Sequence, residues 1–232
     1  MNSLNRTARM VGVLYLAITF IAPFSMLYIP SVLFVPADAA LTASHIRSSE
    51  GLFRMGIASD SLVFLIEIIL TTLLYKLLKP VNQTLSLAAA FSRLAMTIIQ
   101  GVNVIYYLFV LVLVSQVGNL SSLSVDLSNY LISLFLNAHG YVVLVWGLFF
   151  ALHLLIIAWL VYRSGYIPKW VGLVLFITGL CYLTQNFGGI LFPNGKQIWD
   201  VVGSFSMIEV IFPIWLLIKG VKNAPSDKGP AK

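Results

Sequence analysis

The stretch GLFRMGIASDSLVFLIEIILTTLLYKLLKP, residues 51–80, decides the fold. It is apolar for long enough to cross a bilayer, which takes about 20 residues, yet it carries Asp60 and Glu67. Seven residues is about two helical turns, so both carboxylates share one face. The next apolar run, beyond the turn at Pro80, carries Arg93, Gln100 and Asn103. In an antiparallel hairpin, residues equidistant from the turn lie at equal depth. Glu67 and Arg93 are each thirteen residues from Pro80, and Asp60 and Gln100 are each twenty. The register therefore predicts an ion pair, Glu67 with Arg93, near mid-membrane. It also predicts a hydrogen-bonded pair, Asp60 with Gln100, nearer one surface.

The rest of the chain agrees with a membrane setting. Of 232 residues 59% are hydrophobic and only 9% charged, where a soluble domain carries about 25% charge. The whole length is used by six predicted spans, at 9–30, 52–79, 84–114, 139–163, 168–191 and 198–219, with no room for a second soluble domain. The expected fold is an all-α polytopic transmembrane bundle of six helices, a single domain over 1–222, followed by a disordered basic tail at 223–232. The N-terminal run is longer than a signal-peptide core and is read as a retained first span.

Basic residues set the orientation. Arg6, Arg9, Lys76, Lys79, Arg163, Lys169 and the tail lysines Lys219, Lys222, Lys228 and Lys232 fall on one side of the six-span scheme. Arg47, Lys196 and Arg54 fall on the other. The positive-inside rule then places both termini in the cytoplasm. The net charge of +6 is explained by these flanks and by anionic headgroups rather than by nucleic acid. The expected location is the bacterial cytoplasmic membrane, multi-pass, with the lipid bilayer as principal partner. A homo-oligomer or another membrane protein is a further partner the reading allows. Cys181 is the lone cysteine, a small buried hydrophobe with no disulfide available.

Short surface helices are expected on the outer side. Asp38 is placed to cap one in the loop 30–51. The segment SSLSVDLSNYLISLFLNAHG (121–140) is expected to lie on the surface and turn near Gly140, because joined to span four it makes a helix of about 60 Å. The tight inner turns YKLLKPVN (75–82) and YRSGYIPKW (162–170) echo one another, a weak hint of duplicated hairpins. No broken pair of helices is legible.

Two polar layers follow. An outer one draws on Asp60, Gln100, Asn103, His139 and Gln185, the candidate ligand pocket. A deeper one draws on Glu67, Arg93, His153 and Glu209, an intramembrane charge network. Charges facing lipid cost at least ~2.5–3.5 kcal/mol each, so these groups should face the bundle interior. The bland alternative is that Glu67–Arg93 is a latch fixing helix association, that His153 is a helix-to-helix hydrogen bond, and that Arg54 snorkels to headgroups. Asp60 has no basic partner at its own depth, which makes it the strongest functional candidate.

Catalytic signatures are missing: no HExxH, no nucleophile elbow, no phosphate-binding glycine loop. The histidines are too scattered for a metal motif, although His45, His139, Asp60 and Asp200 all fall toward the outer face. No cofactor is indicated. The preferred function is binding or translocation of a small polar or amphiphilic ligand through an outward-facing intramembrane pocket. A structural or regulatory membrane partner is the alternative, as is a membrane-embedded acid–base or metal-assisted enzyme on a lipid-like substrate.

Six blocks carry a resemblance: FVPADAALTASHI (34–46), GLFRMGIASD (51–60), LLYKLLKPVN (73–82), FSRLAM (91–96), AHGYVVLVWGLFFALHLLIIAWLVYRSGYIPKWVG (138–172) and TGLCYL (178–183). In this order they resemble the bacterial membrane family DUF4386, a domain of unknown function. Arg54, Asp60, Arg93, His139 and His153 stand where that family's pattern has the same residues, and Glu67 where Asp is common. The final third, with Asp200 and Glu209, matches less closely. The resemblance implies a six-span prokaryotic membrane protein and no particular activity.

Overall fold

A computed structural model describes residues 3–115 and 123–221. The expected tail at 223–232 lies outside the described residues. The described chain is helical with no strand: α1 (Ser3–Pro23), a π-helical turn (Phe24–Tyr28), α2 (Ile29–Leu33), α3 (Ala39–Ser48), α4 (Glu50–Leu78), α5 (Gln83–Ser115), α6 (Val125–Arg163) and α7 (Lys169–Leu191). After a 3₁₀ turn (Pro193–Gly195) come α8 (Lys196–Ser204), a 3₁₀ stretch (Phe205–Val210) and α9 (Ile211–Ile218). Six segments are long and apolar enough to cross a membrane: Ser3–Leu33, Glu50–Leu78, Gln83–Ser115, Val125–Arg163, Lys169–Leu191 and Gln197–Ile218. Large apolar side chains stand open around them, Phe20 at 78%. Such a surface is stable against acyl chains and not against water. This is a multi-pass membrane protein.

The chain forms two compact units. Unit 1 comprises Met1–Ile18, Ile66–Thr97 and Leu144–Lys232; unit 2 comprises Thr19–Leu65 and Ile98–Val143. Helices α1, α4, α5 and α6 contribute residues to both.

In unit 1, α1 and α9 meet at Gly12. A Cβ there would lie 2.8 Å from both Pro213 O and Leu217 N, so only glycine admits this approach. Asn5 Oδ1 accepts from Val221 N at 3.1 Å, tying the two ends of the unit together. The α6–α7 turn uses Gly165 at φ +72, a left-handed conformation that glycine adopts freely. Next to it Tyr166 is buried and donates its hydroxyl to Leu77 O at 2.7 Å. Leu77 is in the last turn of α4, where carbonyls lack helical partners. Asn82 caps α5 by accepting from Leu85 N at 2.9 Å.

In unit 2, Ile29, Leu33, Ala43, Ile46, Phe53, Tyr107, Val110 and Ile132 are among the residues that make an apolar core. Helix α3 begins where the loop reading placed it, with Asp38 Oδ1 accepting from Leu41 N at 2.8 Å. Its Thr42 hydroxyl bonds back to the Val35 backbone.

Two expectations are corrected. The segment before Gly140 is not a separate surface helix, and span four does not start at 139. Helix α6 runs unbroken for 39 residues from Val125, about 58 Å. No proline interrupts it, its glycines Gly140 and Gly147 cost only about 1 kcal/mol each, and continuing the helix buries Ile132, with Leu131, Phe135 and Leu136 packed against the core.

The second correction concerns broken helices: the first and last spans are both interrupted. At Phe24–Tyr28 the Ile29 N–H reaches back five residues to Phe24 O. Pro30 has no N–H to offer Met26 O, the α-helical acceptor four residues back. Likewise Pro213 cannot serve Glu209 O, and the turns just before it tighten to 3₁₀ geometry. Prolines placed inside apolar runs were the legible signal.

Candidate functional site

Each unit holds one polar cluster. In unit 1 the centre is Arg93, whose side chain is 1% exposed. Its Nε donates to Glu67 Oε2 at 2.6 Å and its Nη2 to Glu67 Oε1 at 2.9 Å, a bidentate fork. Its Nη1 lies 3.0 Å from His153 Nε2. His153 Nδ1 lies 2.9 Å from Ala89 O, which can only accept. Nδ1 therefore carries the hydrogen, and Nε2 is the lone pair that receives from Arg93. The guanidinium is also 4.8 Å from the Tyr15 ring centroid and 5.6 Å from that of Phe150. Ser92 Oγ donates to Phe149 O at 2.7 Å, fixing α5 against α6 beside it.

Glu209, on the 3₁₀ stretch, was placed with this network by the sequence. It lies within electrostatic range of Arg93, Glu67, Tyr15 and Tyr182, but its buried Oε2 has no hydrogen-bond partner. Gln185, assigned to the other layer, also belongs to unit 1, where its amide seats on Gly203.

In unit 2 the centre is Asp60, 2% exposed. Its Oδ2 accepts from Gln100 Nε2 at 3.1 Å. Its Oδ1 lies 2.5 Å from Ser25 Oγ, on the π-helical turn. The same Ser25 hydroxyl has Ala22 O within 3.1 Å. One hydroxyl hydrogen serves one acceptor at a time. The short contact is therefore satisfied by Ser25 donating to ionised Asp60, or by protonated Asp60 donating to Ser25.

Asn103 Nδ2 donates to His139 O at 3.3 Å, so α5 and α6 are joined here. The His139 ring stacks on Tyr107 with centroids 3.9 Å apart and planes 7° from parallel. Gln100, Asn103 and Tyr107 follow at steps of three and four on α5, one continuous stripe.

This cluster is incompletely satisfied. Gln100 Oε1, Asn103 Oδ1 and His139 Nε2 are buried without hydrogen-bond partners, although their residues are only 6%, 0% and 9% exposed. Buried polar atoms are almost always paired, and leaving one unpaired costs about 1–3 kcal/mol. Neither basic side chain of the unit relieves Asp60. Arg54 pairs with Glu50 at 2.7 Å, and Arg47 Nη2 donates to Asn129 Oδ1 at 3.3 Å.

The candidate metal residues do not assemble. Among the described residues no three His, Cys, Asp or Glu side chains converge to hold an ion. His45 sits on α3 and Asp200 on α8, in different units.

Sequence reasoning missed Ser25, Tyr15, Tyr107 and Phe150. A lone serine in an apolar span carries no signal, because its direction depends on the π register. The aromatic residues read as ordinary core or lipid-facing positions.

Comparison with known proteins adds a family and no activity. An uncharacterized protein of the archaeon Archaeoglobus fulgidus is 28% identical over 162 residues, covering 69% of this chain and 81% of that protein. No solved structure matches. Residues 10–220 match the family described as Domain of unknown function (DUF4386). With six apolar spans and a match over nearly its whole length, the chain belongs to the DUF4386 family.

Proposed function

We propose that the protein binds a small polar ligand inside the membrane, in unit 2, at Asp60, Gln100, Asn103 and His139. One observation carries the reading: beside Asp60, which has no cationic partner among the described residues, three buried polar atoms have hydrogen-bonding capacity that no described protein group fills. A polar guest that fills it recovers the desolvation cost. With the termini in the cytoplasm of a prokaryotic cell, Asp60, ten residues into α4 from Glu50, lies nearer the outer face, from which the ligand enters. The Ser25 hydroxyl lets Asp60 hold or release a proton without losing its short contact, which suits translocation coupled to proton movement. The interrupted first span supports this use, since π turns inside helices concentrate at functional positions.

Unit 1 takes a different role. In its Glu67–Arg93–His153 network the carboxylate and the ring nitrogens are all partnered, with Ala89 O completing His153 and only Glu209 Oε2 beside it unfilled, which favours a latch that fixes helix association over a second ligand site.

The test is purification into lipid nanodiscs, native mass spectrometry, and a thermal-shift screen of small polar compounds against wild type and Asp60→Asn. A retained or stabilising compound whose effect is lost in the variant is expected. Absence of any such compound, with both proteins folded, would overturn the reading.

A further inference from the structure

We infer that the ligand is a small monocation bearing N–H donors, a primary amine or ammonium, held by Asp60, Gln100 Oε1 and Asn103 Oδ1. The inference rests on the binding reading above and narrows its chemistry.

Part of the cluster's hydrogen-bonding capacity is already spent. Gln100 must turn its NH₂ toward the Asp60 carboxylate, and Asn103 must turn its NH₂ toward the His139 carbonyl, because both partners are acceptors. The amide orientations are fixed by those neighbours. What each amide leaves unfilled is its oxygen. The Ser25 hydroxyl is engaged by Asp60 Oδ1 or Ala22 O. The atoms that the two amides leave unfilled are therefore acceptors.

Charge points the same way. Asp60 brings a carboxylate, while Arg47 and Arg54 are engaged by Asn129 and Glu50. An anion would meet a carboxylate and two carbonyl oxygens, and the buried Arg47 Nε, which has no hydrogen-bond partner, is not among the groups that act on Asp60. A neutral acceptor would find no donor from either amide. A cation with hydrogens to give satisfies both amide oxygens and supplies the missing countercharge.

Alkali ions fit less well. They need five or six oxygens to replace their water, and hard cations avoid imidazole nitrogen. An ammonium group needs only acceptors at hydrogen-bond distance, and His139 Nε2 can serve as one in its Nδ1–H form.

The test is binding of radiolabelled methylammonium to the full-length protein in nanodiscs, with competition by ammonium, ethylammonium, sodium, potassium, acetate and urea. Saturable binding displaced by ammonium and ethylammonium, and not by equal sodium or potassium, is expected. Asp60→Asn should weaken it at least about tenfold, and Asn103→Leu about five- to tenfold. No saturable binding, equal displacement by sodium, or unchanged binding in Asp60→Asn would overturn the inference. If acetate or urea binds instead in an Asn103-dependent way, the cation class fails while the site stands. If nothing binds to the folded wild type, both fail. Should Asp60→Asn not fold, the wild-type order of competitors decides alone.

Discussion

Replacing Glu67 by Gln probes the core of unit 1 with little change of shape. In the native protein both carboxylate oxygens accept from Arg93, at 2.6 and 2.9 Å. The amide keeps one acceptor and turns an NH₂ toward an N–H of the guanidinium, donor against donor. Arg93 remains charged, because nothing neutralises a guanidinium, and its side chain is 1% exposed. Breaking a buried pair by removing one partner costs about 3–5 kcal/mol. That is a change of about a hundred- to several-thousand-fold in the folding equilibrium. The His153 contact and the Tyr15 and Phe150 rings stay in place and soften the loss without replacing the countercharge. Reversible unfolding in mixed micelles, followed by tryptophan fluorescence, reads the change. The double variant Glu67→Leu, Arg93→Met should recover much of it, since an apolar replacement of a buried pair is often neutral. A Glu67→Gln protein within about 0.5 kcal/mol of wild type, or a double variant less stable than the single, would refute the desolvated pair.

Other expectations are smaller in scale. Gly12→Ala should destabilise by about 1–3 kcal/mol in the same unfolding assay, because the new methyl meets backbone atoms of α9 at 2.8 Å. Tyr166→Phe should cost about 1–3 kcal/mol by stranding Leu77 O. Burial also pushes the Tyr166 phenol above its usual range. Its contribution is therefore complete below pH of about 10 and is lost as pH rises beyond that, so the variant should lose less stability on alkaline titration. Asp38→Ala should cost about 0.5–2 kcal/mol, with faster amide exchange confined to α3. Ser25→Ala should lower methylammonium affinity about tenfold or more, by removing the hydroxyl that donates to ionised Asp60.

What the sequence could carry, and what it could not, has a physical pattern. The span count and the Glu67–Arg93 and Asp60–Gln100 pairings were legible because a hairpin turn fixes depth and the helical period fixes direction. The Asp38 cap was legible because capping is local. The extent of α6 was not, since whether a helix ends at Gly140 depends on what its continuation buries, and Ile132 packs against residues distant in sequence. Ser25 was hidden for a related reason: a π turn adds a residue to the register and redirects every side chain after it. Gln185 was grouped by depth alone, whereas its position around α7 turns it toward Gly203.

Unit 2 is proposed to keep a place for a polar guest among groups the protein itself leaves unpaired. A cryo-EM reconstruction of the protein in lipid nanodiscs, at a resolution that shows bound waters and small molecules, tests it directly. Non-protein density within about 3 Å of Gln100 Oε1, Asn103 Oδ1 and the Asp60 carboxylate is the expected result. A map in which those oxygens are paired with protein groups, or in which Asp60 faces acyl chains, would contradict it.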